Sequence, residues 1–482
     1  MRVALVNPRP LWDRLGPMER FSPAIPPLGI VWPATVLAAA GHETRVIDQH
    51  AQRLDSGALV AELARFSPDL VGFSCLTFAM DGVVEAVRSL RMALPGVKVV
   101  LGNLHASLFH ERLVESGIAD FVVRGEGEIA LPALAAALER AGSARGVPGI
   151  TWSDGERTVV VPDAADADLD ALPVPDWSLV RGIRYEAFRL RRFDQGPLPA
   201  AVQASRGCRF RCSFCSQNLL HRSVRVRSVD GVIRELTELN ERFGITSVGF
   251  VDANFPPDKA YGLEFARKMR STGLSSRIHW FTEVRADLVD EELIQALAAA
   301  GMTLVQFGIE SGEPEVLRSM NKGSGWSDPK APFDWCRREG VLTVGLFVIG
   351  MPGETEQQVE STIAQALRID PDLAKFSVAT PYPGSGLWYR YLDELAEAPP
   401  HKFSGWLDPA RGGDHLLARH TIPSSRLAAL QRQAMRRFYM RPGKLLRLAA
   451  SGLLRLDTWR DGFISLLREA ADKVVSGRKG EP

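Results

Sequence analysis

The sequence predicts an α/β protein with an N-terminal doubly wound, Rossmann-like sheet, a partial (β/α)6 barrel of the TIM type and a mostly helical C-terminal region. Three observations predict it. Short apolar segments of strand length alternate with helical segments over residues 1–140, and the alternation restarts at Leu198. Small or polar residues gather at the carboxyl ends of those strands, where open and closed parallel sheets bind ligands. At 482 residues the chain exceeds one ordinary core, and two or three domains are expected. The divisions read from the sequence are 1–145, 146–195, 196–390 and 391–482.

Strand Val3–Val6 comes first, then a helix near Leu28–Ala40 and strand Thr44–Ile47. A helix over Ala58–Phe66 leads to Leu70–Ser74, a helix near Val83–Leu94 to Val97–Leu101, and Phe121–Val123 follows. The strand ends carry Asn7-Pro8, Asp48, Ser74, Gly102-Asn103 and Gly125-Glu126-Gly127. Glycine at such an end lets a large flat ligand approach the backbone. No G-x-G-x-x-G follows the first strand, which disfavours a dinucleotide. Residues 146–162 read as a hairpin turning at Asp154-Gly155, and Asp163–Trp177 as a linker. Barrel strands are expected at Ala200–Ala204, Ser247–Val251, His279–Glu283, Leu304–Gly308, Thr343–Ile349 and Lys375–Thr380.

A formal charge of +1 gives no general footing for nucleic acid. Five cysteines without an even framework point to a reducing, cytoplasmic setting. The first residues read as a buried strand rather than a signal peptide, and no apolar run reaches membrane-spanning length.

Cys208, Cys212 and Cys215 lie in Ser205-Arg-Gly-Cys-Arg-Phe-Arg-Cys-Ser-Phe-Cys-Ser216. Three thiolates at C-x3-C-x2-C spacing can hold three irons of a 4Fe–4S cluster and leave the fourth open to a ligand. Zinc is the other reading, but it favours four ligands in paired C-x2-C form, and no second pair exists here. Cys75 and Cys336 read as buried core residues.

This spacing resembles the radical S-adenosylmethionine (SAM) superfamily, and Phe214 matches the aromatic residue before that family's third cysteine. The resemblance implies SAM chelated at the open iron and cleaved to a 5′-deoxyadenosyl radical. Arg206, Arg209 and Arg211 would offset the charge of a thiolate cluster, or form a solvated basic loop. By the same resemblance, Asp252 and Asn254 bind the SAM amino group, and Glu283 joins the site. Arg285 would pair the methionyl carboxylate through both guanidinium arms. Glu310 would bond the ribose hydroxyls, and the backbone at Gly350 would lie along the adenine.

Pro26-Pro-Leu-Gly-Ile30, Ala40-Gly-His-Glu-Thr-Arg-Val-Ile-Asp48 and Val123-Arg-Gly-Glu-Gly-Glu128 resemble the cobalamin-binding domain that precedes many radical SAM cores. Ser74-Cys-Leu76-Thr77 matches its S-x-L element, and Gly102-Asn103 stands where its Gly-Gly pair usually lies. The implied cobalamin site comprises Asn7, Pro8, Ser74, Leu76, Thr77, Gly102, Asn103, His105, Gly125, Glu126 and Gly127. The D-x-H-x-x-G element is missing after the first strand, so cobalamin is expected without a protein histidine on cobalt. His105 either approaches the lower corrin face or is a loop histidine bonding a carbonyl.

The resemblance covers about residues 1–390. It implies methylation of an unactivated carbon of a small molecule, with electrons from an external donor such as flavodoxin or ferredoxin. Cobalamin-assisted cyclisation, ring contraction or oxidation is the enzymatic alternative, and a cobalamin or redox sensor the remote one. Residues 425–475 show helical spacing, and Gln431–Pro482 holds twelve Lys/Arg against five Asp/Glu. Such helices either lie against the barrel with their charges solvated or make peripheral contact with a membrane surface. The first is the expectation.

Overall fold

The computed structural model describes residues 1–9, 25–185, 199–219, 221, 223–323, 328–390 and 421–450. Strands β1 (Arg2–Asn7), β2 (Glu43–Asp48), β3 (Leu70–Ser74), β4 (Lys98–Gly102) and β5 (Phe121–Val123) form a parallel sheet. The hairpin β6 (Ile150–Ser153) and β7 (Thr158–Val160) continues that sheet antiparallel, giving the order β2-β1-β3-β4-β5-β6-β7. The hairpin placed with the linker by its sequence is therefore the edge of the first sheet.

Helices α1 (Leu28–Ala39), α2 (Ser56–Phe66), α3 (Met80–Ala93), α4 (Leu104–Leu108), α5 (His110–Glu115) and α6 (Gly127–Ala141) supply the crossovers. Helices α1 and α6 share one buried cluster with Leu5 and Val100, while α2 and α3 share a second with Ala4, Val71 and Val99. Neighbouring strand positions thus bury opposite faces, as the two-residue period of a strand demands. The linker is strapped to α1, where Trp32 Nε1 donates to Pro173 O at 2.8 Å and Asp176 N to Thr35 Oγ1 at 2.8 Å.

The barrel sheet runs β8 (Ala200–Val202), β11 (Ser247–Phe250), β12 (His279–Arg285), β13 (Met302–Glu310), β14 (Leu342–Ile349) and β15 (Leu373–Val378) in that spatial order, all parallel. A short antiparallel pair, β9 (Ser205–Arg206) and β10 (Arg225–Val226), brackets the cysteine loop. Helices α7 (Val229–Phe243), α8 (Lys259–Ser271), α9 (Glu291–Ala299), α10 (Pro314–Ser319), α11 (Ala331–Arg338), α12 (Glu356–Ile369) and α13 (Gly386–Arg390) belong to this unit. Ser228, Asp258, Asp290 and Thr355 cap α7, α8, α9 and α12, each accepting from a backbone N–H of the first turn.

The tail helices α14 (Ser424–Tyr439) and α15 (Pro442–Ala450) dock on the barrel. Leu427, Leu430, Ala434 and Phe438 are buried; five basic residues of this segment pair with barrel carboxylates, while Arg432 and Arg436 are exposed to solvent. Arg426 bonds Glu356 and Arg437 bonds Glu360, while Arg441, Lys444 and Arg447 converge on Asp370. The rest of the basic tail, 451–482, lies outside the described residues. No helix among the described residues is long and apolar enough to cross a membrane.

Candidate active site

The cysteine loop leaves the barrel at the carboxyl end of β8 and is tied down at both ends and in its middle. Asp252, just past β11, accepts from Ala204 N, Ser205 N and Ser205 Oγ. At the centre, Ser213 N donates to Met320 O at 2.8 Å and Leu387 N to Ser213 O at 2.7 Å. Asn218 Nδ2 reaches Phe210 O at 2.7 Å, and Asn321 Nδ2 reaches Arg211 O at 2.8 Å. A loop this restrained presents its thiols in a fixed arrangement. Burial raises the Cys215 thiol pKa, and the thiols of Cys212 and Cys208 raise it further. Burial likewise raises Cys212, against the opposing charges of Lys322 and Arg285.

Donors to sulfur complete the set. Asn254 Nδ2 donates to Cys208 Sγ at 3.6 Å, and Arg285 Nη1 to Cys212 Sγ at 3.9 Å. Asn254 is fixed from behind, because Phe255 stacks on Phe250 at 3.8 Å and meets Phe265 and Trp280 edge-on. Such ring pairs contribute about 0.5–1.5 kcal/mol each beyond their burial. Three restrained thiolates, two sulfur-directed N–H donors and two nearby cations fit a 4Fe–4S cluster held by Cys208, Cys212 and Cys215. Among the described residues no three His, Cys, Asp or Glu side chains converge on a single metal ion.

Several expected SAM contacts are otherwise engaged. Asp252 is buried and spends both oxygens on the cysteine loop; burial raises its pKa to about 7 despite the hydrogen bonds from Ser205 and Ala204. Asn254 faces the Cys208 thiol and accepts from Arg285 N at 3.0 Å. The guanidinium fork of Arg285 is taken by Asp287, with bonds of 2.9 and 2.6 Å, and lies over Phe210 at 4.0 Å. Its Nη1 edge and its stacked face both meet the cluster loop. Glu310, at a β13 register shift and φ 64°, pairs with the buried Lys322 at 2.5 Å. Gly350 N donates to Glu354, and a Cβ on Gly350 would strike Leu427 of α14 at 2.8 Å. Both φ 81° and that helix contact require glycine here. Phe214 packs against the cluster of Met351, Ala379 and Leu387.

Glu283 remains. It is accessible yet walled by protein, as a residue facing the barrel lumen must be, and burial together with Glu310 raises its pKa. Among the described residues its carboxylate has no hydrogen-bond partner. Arg206 pairs with Glu126 and Glu128 rather than with the thiolates, and Arg209 donates to Pro257 O. Lys322 and Arg285 offset the thiolate charge at Cys212, and a lysine in a loop after α10 carried no sequence signal for that role.

A cavity enclosing about 930 Å³, its open mouth included, lies between the carboxyl edge of the first sheet and the barrel. Ser74, Gly102, Asn103, Gly125, Glu126 and Gly127 line it; Asn7, Pro8, Leu76, Thr77 and His105 do not. His105 is fully buried with Nδ1 3.2 Å from Thr77 Oγ1, and Asn7 donates to Asp48. Sequence reasoning missed Gly72, Trp32, Gln203, His221 and Val251, which also line it.

Asn103 holds φ 80° and ψ −176°, a conformation nearly restricted to glycine. Its amide donates to Ser74 Oγ at 2.9 Å and its Oδ1 accepts from Leu104 N, which explains an asparagine at this glycine position. Leu5, Gly72 and Val100 stand side by side on β1, β3 and β4, and the missing side chain opens a slot against α1 and α6. A glycine-rimmed mouth leading to an apolar slot fits the flat, multi-amide body of cobalamin.

A cysteine-loop barrel opposed by a cofactor-binding α/β sheet defines a two-domain metalloenzyme. Residues 202–366 match the radical SAM superfamily model, and residues 18–135 match the B12 binding domain model. The chain is 30% identical over 446 residues, 89% of its length and 94% of the other's, to an uncharacterized methyltransferase of Pyrococcus horikoshii. It is 28% identical over 405 residues to the anaerobic magnesium-protoporphyrin IX monomethyl ester cyclase of Cereibacter sphaeroides, covering 82% of this chain and 64% of that one. The radical SAM methyltransferase TsrM from Kitasatospora setae, solved with cobalamin and a [4Fe-4S] cluster, shares the fold. That match has a TM-score of 0.68 at 24% identity and covers 82% of this chain and 78% of TsrM. The chain belongs to the cobalamin-dependent branch of the radical SAM superfamily, and its cofactors are a 4Fe–4S cluster, SAM and cobalamin.

Proposed function

We propose that the chain is a cytoplasmic methyltransferase acting on an unactivated carbon of a small molecule, fed electrons by a small external donor such as flavodoxin or ferredoxin. One observation carries the reading: the cofactor cavity of the first sheet is also lined by Gln203 and Val251, just past barrel strands β8 and β11, and by Arg206 in the neck of the cysteine loop. A substrate in the barrel mouth then faces both cofactors. When bound, the cluster and SAM supply reductive cleavage of a sulfonium, and cobalamin supplies a transferable methyl group.

The chain's own residues place and shield these groups. Cys208, Cys212 and Cys215 hold the cluster, with Asn254 and Arg285 directed at its sulfurs. Glu283 supplies the free carboxylate for an ammonium group in the lumen, and Phe214 its apolar wall. Ser74, Asn103 and Gly125–Gly127 hold cobalamin. Burial of the barrel core keeps water from the reacting carbon. Ring closure without methyl transfer is the second reading, favoured by the likeness to the cyclase over 82% of this chain.

The test is anoxic reconstitution with iron, sulfide and hydroxocobalamin, then dithionite and SAM. Four irons and one cobalamin per chain, with 5′-deoxyadenosine formed, are expected, and Cys→Ala at 208, 212 or 215 abolishes the nucleoside. A reconstituted wild type that makes none refutes the reading. Counting methyl groups per product separates methyl transfer from cyclisation.

A further inference from the structure

The neck of the cysteine loop is a pair of strands with two arginines directly opposite each other, Arg206 on β9 and Arg225 on β10. Like charges in register across a strand pair repel. Here the repulsion is offset from the other domain. Glu126 Oε1, at the start of α6, accepts from Arg206 Nη1 at 2.9 Å and also bonds Arg225 Nη2. Glu128, the second residue of that helix, accepts from Arg206 Nη2 at 2.6 Å. Gln203 takes Arg206 Nε at 2.9 Å, and the ring of Trp32 on α1 lies 5.1 Å from the guanidinium carbon. All three charged side chains of the Arg206 set are buried, at 5–6% exposure. Burial opposes the charge of Glu126, yet Arg225 and Arg206 hold its carboxyl down to about 2. The linker joins the same knot, since Ala167 N donates to Glu126 Oε2 and Arg225 Nη1 to Ala167 O.

Arg206 lies two residues from Cys208 and also lines the cofactor cavity, as do Glu126 and Glu128. We propose that Arg206, Glu126 and Glu128 are positioning residues that close the cluster-loop neck only against the docked first domain, and so fix the cluster relative to the cobalamin cavity. Arginine is needed because one planar fork serves two carboxylates and Gln203 at once, which a lysine point charge cannot do. Buried pairs of this kind add little net stability but lose much when one partner is removed. The neck is therefore expected to loosen sharply on a single substitution. The consequence for two cofactors rests on the proposed function; the closure of the neck does not.

The experiment has two arms, on Glu128→Gln and on Arg206→Lys, with Glu360→Gln at an exposed ion pair as control. Amide hydrogen exchange on the cofactor-free full chain is expected to speed up by about 10-fold or more at residues 205–206 and 225–226, with β12 and β13 unchanged. Neck exchange equal to wild type in the folded variants overturns the proposal. Should Glu128→Gln fail to fold, Arg206→Lys reads the same amides. In the second arm, pulsed EPR of reduced, reconstituted protein measures the dipolar coupling between the cluster and cob(II)alamin. Wild type is expected to give one narrow distance distribution and the variants a broadened one; identical distributions overturn the proposal. A wild type that loads neither cofactor refutes the functional reading, while the exchange arm still judges the neck.

Discussion

Gly72 offers the sharpest test of how the first sheet holds its cofactor. It is a mid-strand glycine without a positive φ, so backbone conformation does not require it. A Cβ built there lies 2.6 Å from Leu5 Cδ2 and 3.3 Å from Val100 Cγ1, and all three residues line the cavity. The residue is glycine because the space beside it is used. Gly72→Val adds three carbons to the slot and pushes the tip of Leu5 toward α1. Forcing extra carbons into an occupied space costs about 1–3 kcal/mol. With the slot filled by cofactor that cost falls on the complex, so the cobalamin Kd is expected to rise by roughly 5- to 150-fold. In the cofactor-free chain the clashing atom is the tip of the flexible Leu5 side chain, which can turn aside into the cavity, and unfolding stability is expected to change by under about 1 kcal/mol. The assays are anoxic hydroxocobalamin titration followed by visible absorbance, and urea unfolding of the cofactor-free protein. Unchanged affinity would refute the slot as part of the binding site. Affinity and stability falling together would show that Gly72 serves core packing alone.

Two further outcomes follow from groups in the barrel loops. Burial lifts Glu354 from the ordinary 4.5 to about 7, against the N–H donors of Met351 and Gly350, and its Oε1 has no partner. Between those values it is protonated in the fold and ionised when unfolded, so stability falls as pH rises across that window, by roughly 3 kcal/mol at about 1.4 kcal/mol per pH unit. Glu354→Gln removes this component, and parallel stability profiles of variant and wild type from pH 5 to 8 would contradict it. Asn254→Ala removes the N–H directed at Cys208, and hydrogen bonds to sulfur favour the reduced, more negative cluster. The variant is expected to load iron normally but to show a lower midpoint potential by redox titration; an unchanged potential would remove Asn254 from the cluster's surroundings.

The alternation of strand and helix, the three-cysteine loop and the glycine-rich strand ends were legible in the chain because each rests on local periodicity or short spacing. Both sheets appear where the apolar runs place them, and Ser74, Gly102 and Gly125–Gly127 meet in one cavity. Side-chain assignments within the barrel fared differently. Asp252, Arg285 and Glu310 sit at strand ends as expected, yet each is already committed to the cysteine loop, Asp287 or Lys322. The choice among partners for a charge is made by whichever opposite charge the fold brings within about 4 Å, and no spacing rule contains that distance.

What the sequence by itself determined is the kind of protein: two parallel α/β units, a tridentate thiolate loop and a ligand edge rich in small residues. The tertiary structure alone decided how those parts face one another. Glu126 and Glu128 stand about 80 positions before Arg206, and only domain docking turns them into its counterions. The slot beside Gly72 likewise exists because three strands far apart in sequence align Leu5, Gly72 and Val100 in register. Periodicity records which face of an element is buried; it holds no record of what another element will bring to that face.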